Sequence, residues 1–484
     1  MTSPSASQLE KLRPVGCLER YSTARNHLGF YTNVAVTATY TLPATCSLPL
    51  RAYIYKVCET LIGQHPILSA IPVDEDTRAP YFARLPAIDL DRCVSFEEWK
   101  APADSEPARD AELDELLTAQ HRSPFAGLTL PFWRLCVRTD PGNPTQFTAA
   151  FVFHHAIGDG GSGMAFHRTF LDALGGAISS SLTSSDVKSV IPAPQTPLLP
   201  NVEELHPMPL SIFFLLSVIF REKLWRRARD PALWTGGKIA TPLETQVRHV
   251  VVSKRDTTAF KDLCRKNQTT VTAALQVLIA SALFRNLPAQ FSKLHCNGAI
   301  SSRRWLRGDA VTDDSIGVWV QDFDEVYQRS RVCRPDSDGV QFSWAEAQRS
   351  KRTLDRILSS QGKNAKMYLL KYVNDYQNDF FRPKLGKDRD GSFEVSNVGV
   401  FRPTAAPSKE EAGRDGQDGP RIGRVVFSQS ANVVGAALET SVVTGCDGCL
   451  VLAFSWQKGV VEEDLVAAVI DTVRTELAAF GEKE

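Results

Sequence analysis

The side chains best suited to chemistry stand together in one short stretch of the chain. An apolar run ends at His154 and His155, and Asp159 follows between Gly158 and Gly160. Imidazole has an unperturbed pKa of about 6.5, which suits proton abstraction near neutral pH. A carboxylate between glycines can brace a tight loop, either by binding an arginine or by accepting backbone amide hydrogens. The pattern therefore indicates proton-transfer chemistry at a loop that the aspartate holds in shape.

The elements around this stretch decide where the two histidines point. Residues 147–153 are apolar and aromatic, which predicts a strand, and residues 162–174 have the composition of a helix. Since alternate strand residues face opposite sides, only one of His154 and His155 can face a given cleft. A satisfied structural pair in a turn is the competing interpretation. We favour chemistry because the histidines, the aspartate and the glycine form one unit at a strand end.

Two other motifs overlap the same residues. The glycines at 158, 160 and 163 match a dinucleotide-binding fingerprint, but Asp159 would set an anion against the pyrophosphate. The acidic residue expected about 20 residues later falls near Asp186, in a serine-rich segment. Ser162 could also be a nucleophile, but the sequence around it lacks the second glycine of a nucleophile elbow. Neither alternative is favoured.

Composition excludes several classes of protein. The 484 residues carry 55 Lys and Arg against 55 Asp and Glu, so no broad basic surface for nucleic acid is expected. Ten cysteines are too sparse for a disulfide scaffold. No secretory leader and no apolar run of about 20 residues are evident. We therefore expect a cytoplasmic protein.

The pattern along the chain predicts two mixed α/β halves. Residues 1–174 form the N-terminal half with the histidine motif, and 241–484 form the C-terminal half. Between them, 175–240 is a Pro- and Ser-rich crossover linker that contains a hydrophobic segment.

That hydrophobic segment, residues 210–220, has two interpretations. An all-round apolar helix is usually buried, and we favour burial. The basic residues that follow it would also suit peripheral contact between 210–229 and an anionic internal membrane; they are Arg221, Lys223, Arg226, Arg227 and Arg229.

The histidine motif resembles the HHxxxDG signature of the coenzyme A-dependent acyltransferase superfamily, which includes chloramphenicol acetyltransferase and peptide-synthetase condensation domains. Softer matches resemble the fungal alcohol O-acetyltransferase branch, and together they span residues 19–457; these matches are 19–21, 28–33, 396–399, 427–430 and 450–457. The DFGWG element of plant members is absent, which argues against a plant-type enzyme and leaves the coenzyme A contacts unassigned.

The resemblance implies an α/β fold (α+β mixed sheets) of two chloramphenicol-acetyltransferase-like domains with a channel at their interface. It implies that His155 is the general base and Asp159 the structural aspartate, supported in the loop by His154, Gly158 and Gly160. Acetyl-coenzyme A would enter as co-substrate from one mouth and a small-molecule alcohol from the other. No permanently bound cofactor, metal or nucleic acid is expected, and we expect a monomer.

Polar residues of the second half are candidates for supporting roles. Arg303 and Arg304 end a predicted strand and could pair with Asp159. The candidate oxyanion or substrate contacts interrupt later strands; they are Ser396, Asn397 and Ser430. No Cys or Ser is well placed to form an acyl-enzyme, so direct transfer in a ternary complex is favoured.

The favoured function is therefore acetylation of an alcohol hydroxyl from acetyl-coenzyme A. One alternative is a condensation-like enzyme that uses an acyl group carried on a protein. The other is a non-catalytic binding module that keeps the same fold.

Overall fold

The computed structural model describes residues 6–44, 46–101, 105–180, 182–220, 230–333, 342–404 and 419–482. The strands within these ranges are β1 (Glu10–Pro14), β2 (Val34–Thr41), β3 (Ala70–Val73), β4 (Tyr81–Arg84), β5 (Ala87–Asp89), β6 (Val94–Glu98), β7 (Trp133–Asp140), β8 (Asn143–Phe153), β9 (Val190–Pro192), β10 (Thr245–Val252), β11 (Lys293–Ser301), β12 (Val320–Gln328), β13 (Phe393–Val400), β14 (Arg421–Gln429), β15 (Leu438–Thr444) and β16 (Leu450–Gln457). The α-helices are α1 (Cys17–His27), α2 (Leu50–Gln64), α3 (Leu90–Cys93), α4 (Glu106–His121), α5 (Gly160–Ser179), α6 (Val202–Leu205), α7 (Ile212–Ile219), α8 (Lys254–Lys266), α9 (Val271–Asn286), α10 (Arg329–Val332), α11 (Trp344–Ser359) and α12 (Glu463–Glu482).

The first large sheet carries the histidine motif at one strand end. Its five strands run in the order β14-β2-β8-β7-β6, and β2 and β8 are apolar and fully buried over most of their length. Helices α2 and α5 pack on each other, and α5 packs on β2. Because β8 is central and α5 follows it directly, the loop between them is fixed at both ends.

The second large sheet has six strands in the order β10-β16-β15-β13-β11-β12. One face packs on helices that include α9, a helix rich in Ala and Leu in which residues 273–284 are all buried. Strand β13 runs parallel to both β11 and β15. The opposite face of this sheet is turned toward the first half.

A strand from the second half of the sequence belongs to the first sheet. Strand β14 lies in the second half of the sequence but pairs antiparallel with β2 of the first sheet. The region predicted as a linker is also packed: β9 pairs with β5, and Val202 and Leu205 join an apolar cluster with Trp319 and Tyr368. A sequence boundary at residue 241 therefore does not separate the two sheets, and the division into folding domains stays a prediction.

Helix α7 overturns the prediction that the hydrophobic segment is buried. None of its residues is fully buried, and Phe213 is 81% exposed. The large apolar side chains that it presents to solvent, together with the residue after it, are Ile212, Phe213, Leu216, Ile219 and Phe220. The basic residues of 221–229 lie outside the described residues. No helix in the described ranges is long and apolar enough to cross a membrane.

Candidate active site

A cavity of about 530 Å³ lies between the two halves of the fold. The first half contributes Tyr31 and His155 to its wall, and the second half contributes Asn297, Glu394 and Glu439. Polar and titratable groups from both sheets therefore face one enclosed space, which is the arrangement expected of a site that two ligands enter.

His155 follows β8 and lines this cavity. Its ring centroid lies 5.6 Å from that of Tyr31, and its Nδ1 is buried without a hydrogen bond of good geometry. Burial, reinforced by the positive charge of Arg25, lowers the pKa of His155 to about 4. The backbone carbonyls of His155 and Gly158 and the Asp159 carboxylate act in the opposite direction but do not restore the ordinary pKa. The imidazole is therefore neutral at physiological pH and able to accept a proton.

His154 is held inside the first half rather than in the cavity wall. It is 1% exposed and packs against Phe132, and its Nδ1 accepts a hydrogen bond from the Ala156 backbone N–H at 2.9 Å. Its Nε2 lies 3.4 Å from the Glu75 carboxyl. Burial, with a smaller effect from the adjacent His155, lowers the pKa of His154 to about 3. The two histidines thus occupy different surroundings, although both lie beyond the end of β8 at Phe153.

Asp159 fastens the loop to the second half of the protein. Its two carboxylate oxygens lie 2.8 and 3.0 Å from the two terminal nitrogens of Arg303, a bidentate fork. The carboxylate also accepts hydrogen bonds from the backbone N–H groups of Ser162 and Trp319. Burial alone would raise the pKa of Asp159, but Arg303 and these donors hold it below its ordinary value. Asp159 is 1% exposed, so it acts within the structure and not on a ligand.

The neighbouring residues of the loop have steric roles. A Cβ at Gly160 would lie 2.7 Å from Val398 Cγ1, and one at Gly158 would lie 2.9 Å from the Ser162 Cβ. Arg304, the other candidate partner of Asp159, is exposed, and its guanidinium lies over the ring of Trp305. Arg303 alone therefore supplies the partner of Asp159.

The candidate oxyanion contacts are not in the cavity wall that the described residues form. Asn397 donates to the Thr272 hydroxyl at 3.0 Å and accepts from the Gly399 N–H. Ser430 accepts from the Thr32 N–H, and Ser396 is 8% exposed on β13 outside the cavity lining. None of the three lines this cavity, and a role for them as oxyanion or substrate contacts stays a prediction.

Several cavity residues were not predicted from the sequence. Arg25 lies within 4.3 Å of the ring centroids of both Tyr21 and Tyr31, so it is held between two aromatic faces. Glu394 and Glu439 face the same space from β13 and β15. A signal for the glutamates was available, since each is a lone carboxylate in an otherwise uncharged strand.

Within the described parts of the chain, no group of three or more His, Cys, Asp and Glu side chains is arranged to hold a metal ion.

The fold matches solved acyl-transferring proteins. The chain is similar to the trichothecene 15-O-acetyltransferase of Fusarium sporotrichioides, with a TM-score of 0.69, 13% identity and 99% of each chain covered. It is also similar to the first condensation domain of the calcium-dependent antibiotic synthetase, with a TM-score of 0.60, 14% identity, 97% of this chain and 96% of that chain covered. Such identities show the fold alone. The predicted fold class, that of coenzyme A-dependent acyltransferases and condensation domains, is confirmed.

The sequence comparison is more specific. Residues 14–467 match the alcohol acetyltransferase family. Over 472 residues the chain is 39% identical to a probable alcohol acetyltransferase of Aspergillus fumigatus, covering 94% of this chain and 96% of that protein. The chain belongs to the alcohol acetyltransferase family and is an alcohol O-acetyltransferase. Membership implies acetyl-coenzyme A as co-substrate and an alcohol as acceptor.

Proposed function

We propose that the protein acetylates an alcohol hydroxyl by direct attack in a ternary complex, with His155 as general base. The observation that carries the proposal is the position of the His155 imidazole in the wall of the cavity between the two halves. Asp159 acts only as a structural aspartate, because its carboxylate is buried and fully engaged by Arg303 and loop donors.

The proposed step follows from the weak nucleophilicity of alcohols near neutral pH. The hydroxyl oxygen bonds to the thioester carbonyl carbon while His155 takes the hydroxyl proton. The buried position of Nδ1 leaves Nε2 as the accepting nitrogen. As the tetrahedral intermediate collapses, the carbon–sulfur bond breaks and the leaving thiolate receives the proton from His155. The products are an acetate ester and coenzyme A.

Two alternatives make different demands. A condensation-like enzyme would need an acyl group presented on a carrier protein, and the likeness to a condensation domain supports the shared fold alone. A binding module would release no thiol. Formation of free coenzyme A from acetyl-coenzyme A and an alcohol, without any carrier, therefore separates the proposal from both.

The test of the base is His155→Ala. Loss of a positioned general base should lower kcat by about 10²- to 10⁴-fold, measured as thiol release and as the mass gain of one acetyl group. His27→Ala changes an exposed histidine and serves as the control. A folded His155→Ala enzyme with wild-type turnover would refute the assignment.

We further propose that α7 contacts an anionic membrane surface. Its outer face is apolar and solvent-exposed, while Phe214 and Val218 of the same helix line the cavity. The sequence that follows, 221–229, carries five basic residues and one acid, which matches anionic headgroups in charge. Contact there would bring the cavity entrance next to lipid. A cytoplasmic location and a monomeric state stay predictions.

Co-sedimentation with vesicles tests this contact. Wild-type protein should bind vesicles that contain phosphatidylserine, and Phe213→Ser should bind them less. Val326→Ser alters an exposed apolar residue on β12 and is the matched control. Equal binding by both variants, or none by the wild type, would contradict the proposal.

A further inference from the structure

The cavity contains an acidic pair that the proposed mechanism does not use. Glu394 of β13 and Glu439 of β15 are register partners in a parallel ladder, so their backbones lie roughly 4.8 Å apart. Both side chains face the cavity, because the alternate residues Phe393, Val395 and Leu438 enter the apolar core on the other side of the sheet. Two carboxyls therefore stand side by side in the same space as His155.

The pair is only partly satisfied by the protein. Glu394 Oε1 accepts from the Gln429 amide at 3.2 Å, and Gln429 in turn accepts from the Tyr31 hydroxyl. Glu439 is 2% exposed, and its Oε2 has no hydrogen-bond partner. A buried acceptor without a partner is energetically unfavourable. A ligand donor that reached this oxygen would remove that penalty.

The nearby cations do not neutralise the pair directly. Arg389 donates to the backbone oxygens of Asn432 and Gly435 and to the Gln457 side chain. Arg25 is stacked between two tyrosines and donates to Ser22. Among the described residues, no ion pair reaches either glutamate. Burial raises the pKa of both carboxyls, and Glu394 raises that of Glu439 further.

A third carboxyl strengthens the acidic character of this wall. Asp322 of β12 lines the same cavity, and its Oδ1 accepts from the Met367 N–H at 3.0 Å. These three carboxyl groups thus line one cavity, which Lys366 and Lys384 also line. A ligand that brings only apolar surface to the carboxyls would leave their acceptors unpaired, and a ligand that brings a carboxylate would have to bury a charge beside them.

We propose that the Glu394–Glu439 pair binds a second hydrogen-bond donor on the acceptor, a hydroxyl or an ammonium group, while another hydroxyl of the same molecule is presented to His155. The inference rests on the proposed function and narrows its substrate class. The acceptor is then a diol, polyol or amino alcohol rather than a simple apolar alcohol. The pair is a specificity element and takes no part in bond making.

The experiment compares straight-chain primary alcohols of increasing length that end in methyl, hydroxyl, ammonium or carboxylate. Thiol release gives kcat/KM for each. At the best length, the hydroxyl- or ammonium-ended alcohol should exceed its methyl-ended counterpart by about ten-fold or more, because its donor would pair with an acceptor that otherwise stays buried and unpartnered. The carboxylate-ended alcohol should have the lowest kcat/KM. A comparison of the hydroxyl-ended with the ammonium-ended alcohol distinguishes a site for polyols from a site for amino alcohols.

Variants assign any preference to the pair. Glu439→Gln and Glu394→Gln keep the side-chain shape and should reduce the ratio of donor-ended to methyl-ended kcat/KM. Glu463→Gln changes an exposed glutamate on α12 and should leave the ratio as in the wild type.

Each contrary outcome has a distinct meaning. Equal turnover of methyl-ended and donor-ended alcohols by the wild type would overturn the inference while the proposed function stands, and it needs no variant to fold. The glutamate variants could instead raise the KM for acetyl-coenzyme A and leave the ratio of donor-ended to methyl-ended kcat/KM unchanged. The pair would then belong to the acetyl-coenzyme A site, and the inference would be overturned. No thiol release with any member of the series would overturn the proposed function, and the inference with it.

Discussion

The electrostatic setting of His155 determines whether it can serve as a base. Its ring is neutral because burial and the positive charge of Arg25 both disfavour the imidazolium form. A base with so low a pKa is always ready to accept a proton near neutral pH, although it drives the transfer less strongly than a base of pKa near 7. Arg25 therefore has a second effect besides its contacts with Tyr21 and Tyr31, because its positive charge lowers the pKa of His155.

The pH dependence of catalysis tests this tuning. With a pKa of about 4 for His155, wild-type kcat/KM should be level from about pH 8 to about pH 5.5, since the acid limb reports the essential base of the free enzyme. Arg25→Gln removes a positive charge, so the pKa of His155 should rise and the acid limb should move to higher pH. Arg25→Lys keeps the charge and is the control. A wild-type limb near pH 6.5, or identical limbs in both variants, would contradict this account.

At the scale of elements, the β8–α5 loop contacts the second half of the protein through a buried ion pair. Asp159 caps α5 by accepting from the Ser162 N–H, and the same carboxylate binds Arg303, which lies 144 residues away in the sequence. This buried ion pair thus links the start of the helix to the second half. The loop geometry that aims His155 depends on it.

A double-mutant cycle measures the coupling free energy between Asp159 and Arg303. Asp159→Asn and Arg303→Met should each destabilise the protein by about 3–5 kcal/mol, because each leaves a buried partner uncompensated. The double variant should cost less than the sum, since no charge is then left unpaired. Denaturant unfolding gives the free energies, and Arg304→Met is the exposed control. Additive costs would show that the fork contributes no coupling.

At the scale of the whole molecule, buried histidines link stability to pH. Burial lowers the pKa to about 3 for His121 and His154 and to about 4 for His155 and His167. In the unfolded chain these groups titrate near 6.5, so below that pH the unfolded state binds protons that the folded state does not. His249 behaves oppositely, since the hydrogen bond from its ring to Asp114 and the nearby carboxylate of Asp110 outweigh burial and raise its pKa to about 9.

Thermal unfolding across pH should therefore show a maximum near neutrality. Stability from the four buried neutral histidines is present above about pH 6.5 and is lost as the pH falls toward their folded pKa values. Stability from His249 is present below about pH 6.5 and is lost as the pH rises through about 9. His249→Gln should lower Tm at neutral pH and flatten the alkaline side alone. A Tm that stays constant between pH 7 and pH 5 would contradict the prediction that these histidines are neutral when the protein is folded.

Much of the fold follows from local pattern. The strand predicted at 147–153 and the helix predicted at 162–174 lie within β8 and α5. Strand β15 and helix α11 were not predicted: β15 carries Glu, Thr and Ser on a fully covered strand, and α11 is strongly charged. In β15, tertiary burial outweighs the weak local signal for a strand.

By itself, the sequence determined the chemistry-bearing motif, the elements on either side of it and the resemblance to an acyltransferase family. These depend on residue types and short spacings, which act over a few residues. Tertiary structure alone decided that Arg303 rather than Arg304 meets Asp159, that α7 is exposed, that β14 joins the first sheet and that two glutamates share a cavity with His155. The physical reason is that these contacts join residues far apart in the chain, so side-chain packing selects among partners that local pattern leaves equivalent.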